Sequence, residues 1–177
     1  PAAAVEMLRT TGQLPLVLPE VAALHQVAQS APHDKDVYGH TLAAVQRATL
    51  LRDWLLNRPS TPQADPELAE LTTEPMLVAR QALESWSYYL RRHFGAEVAA
   101  GHLRAEWLVW AALLHDVGKP ATRTVERDAQ GGERVRFLEH DFEGERMARE
   151  RLEALRFSRQ EIDLCAAVVR SHMRPHH

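Results

Sequence analysis

The sequence predicts an all-α domain: a helical bundle carrying one small β-hairpin at about 122–138. Three observations predict it. Apolar residues recur at steps of three and four over most of the chain, as they do on helices with one buried face. Glycine, the residue that most weakens helix interiors, is held to 8 of 177 positions. A convincing two-residue alternation occurs in one place, at 122–126 and 134–138, on either side of the turn-forming run Arg127-Asp128-Ala129-Gln130-Gly131-Gly132-Glu133. A chain of 177 residues fits one domain and is long enough to bury a sizeable core.

In chain order, a short helix is expected at about 2–11, stopped by Gly12. Pro15 and Pro19 punctuate the link to a second short helix at about 20–29, and Pro32-His33-Asp34 reads as a turn. A long helix follows from about 36 to 56. Its expected buried stripe is Val37, His40, Ala44, Ala48, Leu51 and Leu55, which places a histidine on the apolar face. The three prolines within 57–66 mark a loop. A helix at about 75–94 should turn Met76, Ala79, Leu83, Trp86, Leu90 and Phe94 inward, and Gly95 or Gly101 ends it. The next helix, about 103–116, is stopped by Gly118 and Pro120. After the hairpin come a helix at about 141–156 and a last one opened by the capping box Ser158-Arg159-Gln160-Glu161, with Ile162, Cys165, Val169 and His172 inward.

Bulk properties exclude several classes. With 21 Lys plus Arg against 24 Asp plus Glu, the net charge is −3, and no run of positive charge marks a polyanion binder; a local basic patch is all that the composition leaves open. A single cysteine, Cys165, allows no disulfide within the chain, which fits a reducing, cytoplasmic setting. The longest strictly apolar run is eight residues, far short of the roughly 20 that span a bilayer. No signal peptide is recognisable, and no membrane association is expected. The sequence opens on Pro1 rather than Met, so a processed chain or a segment of a longer protein is expected.

The chemistry concentrates in His115-Asp116. The pair closes the apolar run 107–114 and is followed at once by Val117-Gly118-Lys119-Pro120. An imidazole and a carboxylate at a buried helix end need a partner, since burying an unsatisfied polar group costs roughly 2–7 kcal/mol. A metal ion suits both, and adjacent side chains at a helix end can still reach one ion. The blander alternative is a hydrogen-bonded core histidine beside a turn-forming aspartate. Of ten histidines, His40, His115 and His172 fall on an apolar helical face or at its end, and His140 stands where the hairpin hands over to a helix. With Asp116 and Asp141 they offer imidazole and carboxylate ligands suited to a divalent ion, without thiolates that would favour a closed structural zinc site. Such a site keeps open positions for water and a phosphoryl group. His25, His93 and His102 have no such context and read as surface or satisfied residues. His33 flanks a turn, and His176 and His177 lie at the very end.

The order His40, His115-Asp116, His140, His172 resembles the HD superfamily of metal-dependent phosphohydrolases. The strings Asp36-Val37-Tyr38-Gly39-His40-Thr41-Leu42 and Ala112-Leu113-Leu114-His115-Asp116-Val117-Gly118-Lys119-Pro120 carry that likeness. Three further strings, Phe137-Leu138-Glu139-His140-Asp141, Leu155-Arg156-Phe157-Ser158 and Val168-Val169-Arg170-Ser171-His172-Met173-Arg174-Pro175, resemble one branch: the HD domain attached to bacterial tRNA nucleotidyltransferases (CCA-adding enzymes and poly(A)-polymerase-like relatives). Leu8-Arg9-Thr10-Thr11-Gly12 and Leu18-Pro19-Glu20-Val21 are similar to the segment that leads into that domain, so 1–30 is expected to be a lead-in and 31–177 the HD domain. The stretch 57–103 carries no likeness.

The resemblance implies that His40, His115 and Asp116 ligate a divalent metal (manganese, nickel, iron, zinc or magnesium). It implies that His140 and His172 hold a second metal or the substrate phosphate, and that Lys119 contacts phosphate. Arg123 is a substrate-binding candidate that reads equally well as a solvated hairpin residue. Lys119 has its own alternative as a helix-end cation. Asp141 could orient His140 or cap the following helix. The implied activity is phosphatase or 2′,3′-cyclic phosphodiesterase chemistry on a phosphate ester or nucleotide, with His115, Asp116 and Lys119 at its centre.

The family pattern ends on an aspartate that completes the metal shell. The only aspartate after Asp141 is Asp163, nine residues before His172 and out of phase with it. The domain is therefore expected to be truncated at its C-terminal end and impaired in isolation. The paired carboxylates of a nucleotidyltransferase head are missing, so this chain alone is not expected to add nucleotides. The alternative function is an accessory tRNA-binding domain, with Arg146, Arg149, Arg151 and Arg156 as the candidate contact surface.

Overall fold

The computed structural model describes residues 1–28, 36–58, 77–127 and 133–174. Helices come first: α1 (Ala2–Thr10), α2 (Leu14–Val17), α3 (Pro19–Ala22) and α4 (Val37–Leu55). Helical residues 77–83 form α5, which passes through a 3₁₀ turn at Glu84–Trp86 into α6 (Ser87–Phe94). Strands β1 (Glu97–Ala99) and β2 (His102–Leu103) form a short antiparallel pair. Helices α7 (Arg104–Leu114) and α8 (Lys119–Thr122) lead into β3 (Arg123–Arg127) and β4 (Glu133–Phe137), and α9 (His140–Ala154) and α10 (Arg159–Ser171) complete the order. The fold is mostly α, as the sequence predicts.

Helix α7 is the central element, lying along α4, while α10 packs against both α7 and α9. Asp36 starts α4 by accepting a hydrogen bond from the Gly39 N–H at 2.8 Å, satisfying one of the orphan donors of the first turn. The expected single stripe on this helix is too narrow. Every residue from 36 to 56 is buried or half-buried, including Thr41, Gln46, Thr49 and Asp53, because neighbours surround the helix. His40 stays half-buried on it. Helix α7 buries Ala105, Trp107, Val109, Ala111, Leu113 and Leu114, so its end arrives at His115 inside the core. Its start is fixed by the Glu106 carboxylate, which accepts from the Leu103 N–H at 2.9 Å.

The capping box predicted for α10 is formed: Ser158 N–H donates to Glu161 Oε2 at 2.8 Å, and Glu161 N–H donates to Ser158 Oγ. Strands β3 and β4 pair from Arg123↔Phe137 to Arg127↔Glu133, close to the expected hairpin.

Three expectations need correction. The helix expected at 20–29 ends at Ala22, and the chain turns through Gln26, whose φ is 64°. A second strand pair, β1–β2, exists where none was expected, because three- and two-residue strands are too short to show alternation. The helix expected at 75–94 is broken by the 3₁₀ turn, whose three residues per turn shift the register, and Trp86 is 63% exposed instead of buried. Ala79, Leu83, Leu90 and Phe94 are half-buried. Residues 29–35, 59–76, 128–132 and 175–177, with the turn at 32–34, most of the 57–66 loop, Met76, His33, His176 and His177, lie outside the described residues. No described helix is long and apolar enough to cross a membrane.

Candidate metal centre

Four helix ends converge on Asp116. His40 comes from the first turn of α4, His115 and Asp116 from the end of α7, His140 from the start of α9, and His172 from the end of α10. Asp116 is 1% exposed, and each of its oxygens faces its own group. Oδ2 lies 3.1 Å from His115 Nε2, 3.8 Å from His40 Nε2 and 2.8 Å from Lys119 Nζ. Oδ1 lies 3.5 Å from His140 Nε2 and 3.8 Å from His172 Nε2. His40, His115 and Asp116 form one group able to hold a metal ion, and Asp116, His140 and His172 form another.

The protonation of the rings follows from their other nitrogens. His115 Nδ1 lies 2.9 Å from the Ala112 carbonyl oxygen, His140 Nδ1 2.7 Å from that of Phe137, and His172 Nδ1 2.6 Å from that of Val169. A carbonyl only accepts, so Nδ1 carries the proton in each ring and Nε2 turns a lone pair toward Asp116. Burial lowers the His172 pKa against the opposing pull of the Val169 carbonyl, which favours the neutral, ligand-competent ring.

Three further observations fit a cation at this place. His140 Nε2 and His172 Nε2 stand 3.1 Å apart, two acceptors facing one another. The buried Asp116 Oδ2 has no hydrogen bond of good geometry. Burial alone would raise the Asp116 pKa, but the positive charge beside it, with the Lys119 ammonium 2.8 Å away, outweighs burial and holds the carboxyl well below the usual carboxylate range. The group is thus an anion with unspent coordinating capacity, surrounded by imidazole lone pairs and one ammonium.

Two glycines make the convergence possible, and no periodicity or motif in the chain signals their role. A Cβ at Gly118 would collide with the His140 carbonyl oxygen and come within 2.6 Å of the Gly144 nitrogen. Gly144, inside α9, sits 3.5 Å from the His115 carbonyl oxygen measured from an added Cβ. The start of α9, and His140 with it, can therefore lie directly on the His115–Gly118 turn. Glu139, at φ 61°, supplies the left-handed residue that swings the chain from the hairpin into α9.

Of the other candidates, Lys119 stands at the centre and the rest fall elsewhere. Lys119 is buried, with its ammonium also 5.4 Å from the centre of the Phe137 ring. Arg123 is exposed at the start of β3. Asp141 does not orient His140; it pairs with Arg170, and the Phe137 carbonyl holds the ring instead. Asp163 is bound to Arg149 at 2.6 Å on the surface. Three of the four arginines expected to grip RNA are engaged, Arg146 with Glu143 and Glu150, Arg149 with Glu145 and Asp163, and Arg151 with Glu20, while Arg156 is exposed. His102, read as surface or satisfied, is satisfied by Glu161 at 2.5 Å.

The chain is 48% identical over 63 residues to the CC-adding tRNA nucleotidyltransferase of Thermus thermophilus, a match covering 36% of this chain and 14% of the relative. It is 42% identical over 66 residues to the A-adding tRNA nucleotidyltransferase of Deinococcus radiodurans, covering 37% of this chain and 14% of that relative. The match therefore spans about one seventh of each relative's length. The HD domain model matches residues 76–177, a stretch that contains His115, Asp116, His140 and His172, while His40 reaches the same cluster from outside it. With more than half of its length matched, the chain belongs to the HD domain family.

Proposed function

We propose that this protein is a metal-dependent phosphohydrolase acting on a phosphomonoester or 2′,3′-cyclic phosphodiester. The observation that carries the reading is the set of three imidazoles whose Nδ1–H groups are tied to backbone carbonyls, so that their Nε2 lone pairs converge on one buried carboxylate. His40, His115 and Asp116 Oδ2 would hold one divalent ion; His140, His172 and Asp116 Oδ1 would hold a second. A divalent ion bound there supplies Lewis acidity toward a phosphoryl oxygen and acidifies water. The chain's own contribution is to fix the rings, keep Asp116 ionised and exclude competing water from beneath the cluster. Lys119 holds its ammonium on the carboxylate edge, where it can turn to a phosphate oxygen and screen charge. Arg123, exposed at the start of β3, is the proposed outer phosphate contact.

The substrate class we propose is an RNA end, delivered by a longer parent protein, because the similar proteins are tRNA nucleotidyltransferases by name. In this reading 31–177 is the hydrolase domain and 1–30 its lead-in. The test is elemental analysis of protein purified without a histidine tag, followed by hydrolysis of p-nitrophenyl phosphate and 2′,3′-cyclic AMP with manganese, nickel, zinc or magnesium. Bound metal and turnover that are both lost in the His115→Ala/Asp116→Ala double variant are expected. Absence of metal after loading with each ion would overturn the proposal.

A further inference from the structure

Helix α6 and the turn before it present an outer face whose chemistry neither the core nor the metal centre uses. Taking 100° per residue, Ser87, Leu90, Arg91 and Phe94 occupy one arc, and all four are half-buried. The opposite arc carries Trp86, Tyr88, Tyr89, Arg92 and His93, and all five are exposed. The three large aromatics are 63%, 68% and 66% exposed, a concentration far from the isolated exposed leucine that needs no explanation. Tyr88 and Tyr89 stand edge to face with ring centres 5.4 Å apart, so their two faces point in different directions and can each take a flat partner.

The charge is equally local. The chain as a whole carries −3, yet residues 77–104 hold four arginines against two glutamates, and Glu97 is occupied by the Gly101 N–H. Arg104 donates to His93 Nδ1 at 3.1 Å, bringing a second guanidinium to the edge of the aromatic arc. The helix dipole accounts for arginine in the last turn of α6. It does not account for three solvent-facing aromatic rings. Aromatic rings interleaved with arginine on a surface of opposite sign to the rest of the protein suit a polyanion with exposed flat bases.

We propose that the outer face of α6, built from Trp86, Tyr88, Tyr89 and Arg92, is a docking surface for single-stranded RNA. Bases stack on the rings and the backbone phosphates meet Arg92 and Arg104. The face lies at the far end of the bundle from the metal centre. Arg91 of α6 packs over Trp54 at the end of α4, whereas His40 stands fourteen residues earlier on that helix, about 20 Å away at 1.5 Å per residue. The choice of RNA over DNA rests on the RNA-end reading given under the proposed function; the stacking face itself does not depend on it.

The test is fluorescence anisotropy of the full chain with a 5′-labelled 12-nucleotide oligoadenylate RNA, and with the DNA of the same sequence, at several salt concentrations. Tyr88→Ala/Tyr89→Ala is expected to raise the RNA Kd by at least about 30-fold, and Tyr88→Phe/Tyr89→Phe to retain binding. Arg92→Gln is expected to reduce the slope of log affinity against log salt by about 0.7. Metal content and hydrolysis of p-nitrophenyl phosphate should match the parent protein in all three variants, which separates this face from the metal centre. RNA binding that is absent, or equal in parent and Tyr→Ala protein, would overturn the proposal. So would tight DNA binding without RNA binding, or a dimer in sedimentation that the Tyr→Ala changes disperse, since the face would then be a self-contact.

Discussion

Among the described residues, histidine is set against carboxylate in two places, and the two work in opposite ways. At the N-terminal end of α10, His102 Nδ1 meets Glu161 Oε1 at 2.5 Å, one ring to one carboxylate with the ring's proton between them. At Asp116, four rings address one carboxylate, and three of them have spent their Nδ1 protons on backbone carbonyls. The first arrangement is complete as it stands. The second is a set of acceptors gathered around an anion, which a cation completes. The difference lies in what occupies the second ring nitrogen, and it separates a structural histidine from a ligand without reference to any family.

The largest effect should come from removing the shared carboxylate. Asp116→Asn is expected to lower bound metal to near zero and phosphatase activity by at least about 100-fold, checked by elemental analysis and steady-state rates. His140→Ala is a finer cut of the same site. It should lose about one equivalent of metal while the His40/His115 group keeps its own; loss of all metal would show that the two groups are one.

Lys119→Met should separate stability from ligation. It leaves a buried carboxylate without its ammonium, so the metal-free protein should lose about 3 kcal/mol in urea unfolding, and added divalent metal should restore most of the loss. Gly118→Ala pushes a methyl into the His140 carbonyl and should cost about 1–3 kcal/mol, together with weaker metal binding as α9 shifts.

The smallest effect belongs to the complete pair. Hydrogen bonding to Glu161 raises the His102 pKa above 6.5, with desolvation opposing it. Burial raises the Glu161 pKa, but His102 and Ser158 overcome it and leave the value below 4.5. The histidine's share of stability is therefore fully present below pH 6.5 and lost as pH rises through its raised value. The glutamate's share is present above pH 4.5 and lost as pH falls through its lowered value. The stability difference between parent and His102→Ala should be greatest at about pH 5–6 and shrink at alkaline pH, with metal content unchanged. A pH-independent difference would remove the ion pair from the account.

The legible part of this molecule was the part with an energetic penalty attached. His115-Asp116 stood out because a carboxylate and an imidazole at the end of an apolar helix demand partners, and the Ser158 box stood out because orphan N–H groups demand acceptors. What escaped has no such penalty in one dimension. The Nδ1 locks of His115, His140 and His172 each use a carbonyl three residues earlier, which any residue supplies. Gly118 read as a stop signal, whereas its contacts come from Gly144 and His140 across the fold. Helix α4 hides its buried Gln46 and Asp53 from any apolar-stripe argument because no residue along it is fully exposed. Trp86 was turned outward by a three-residue change of helix type that periodicity over longer windows averages away.

The comparison between the two kinds of histidine is tested most directly by nitrogen NMR of the imidazole rings during titration with zinc. The metal-free protein should show His115, His140 and His172 protonated on Nδ1. Zinc should then shift the Nε2 resonances of these three and of His40, while the His102 ring stays where it was. Rings at 115, 140 and 172 that carry their proton on Nε2, or a titration in which they do not move, would contradict it.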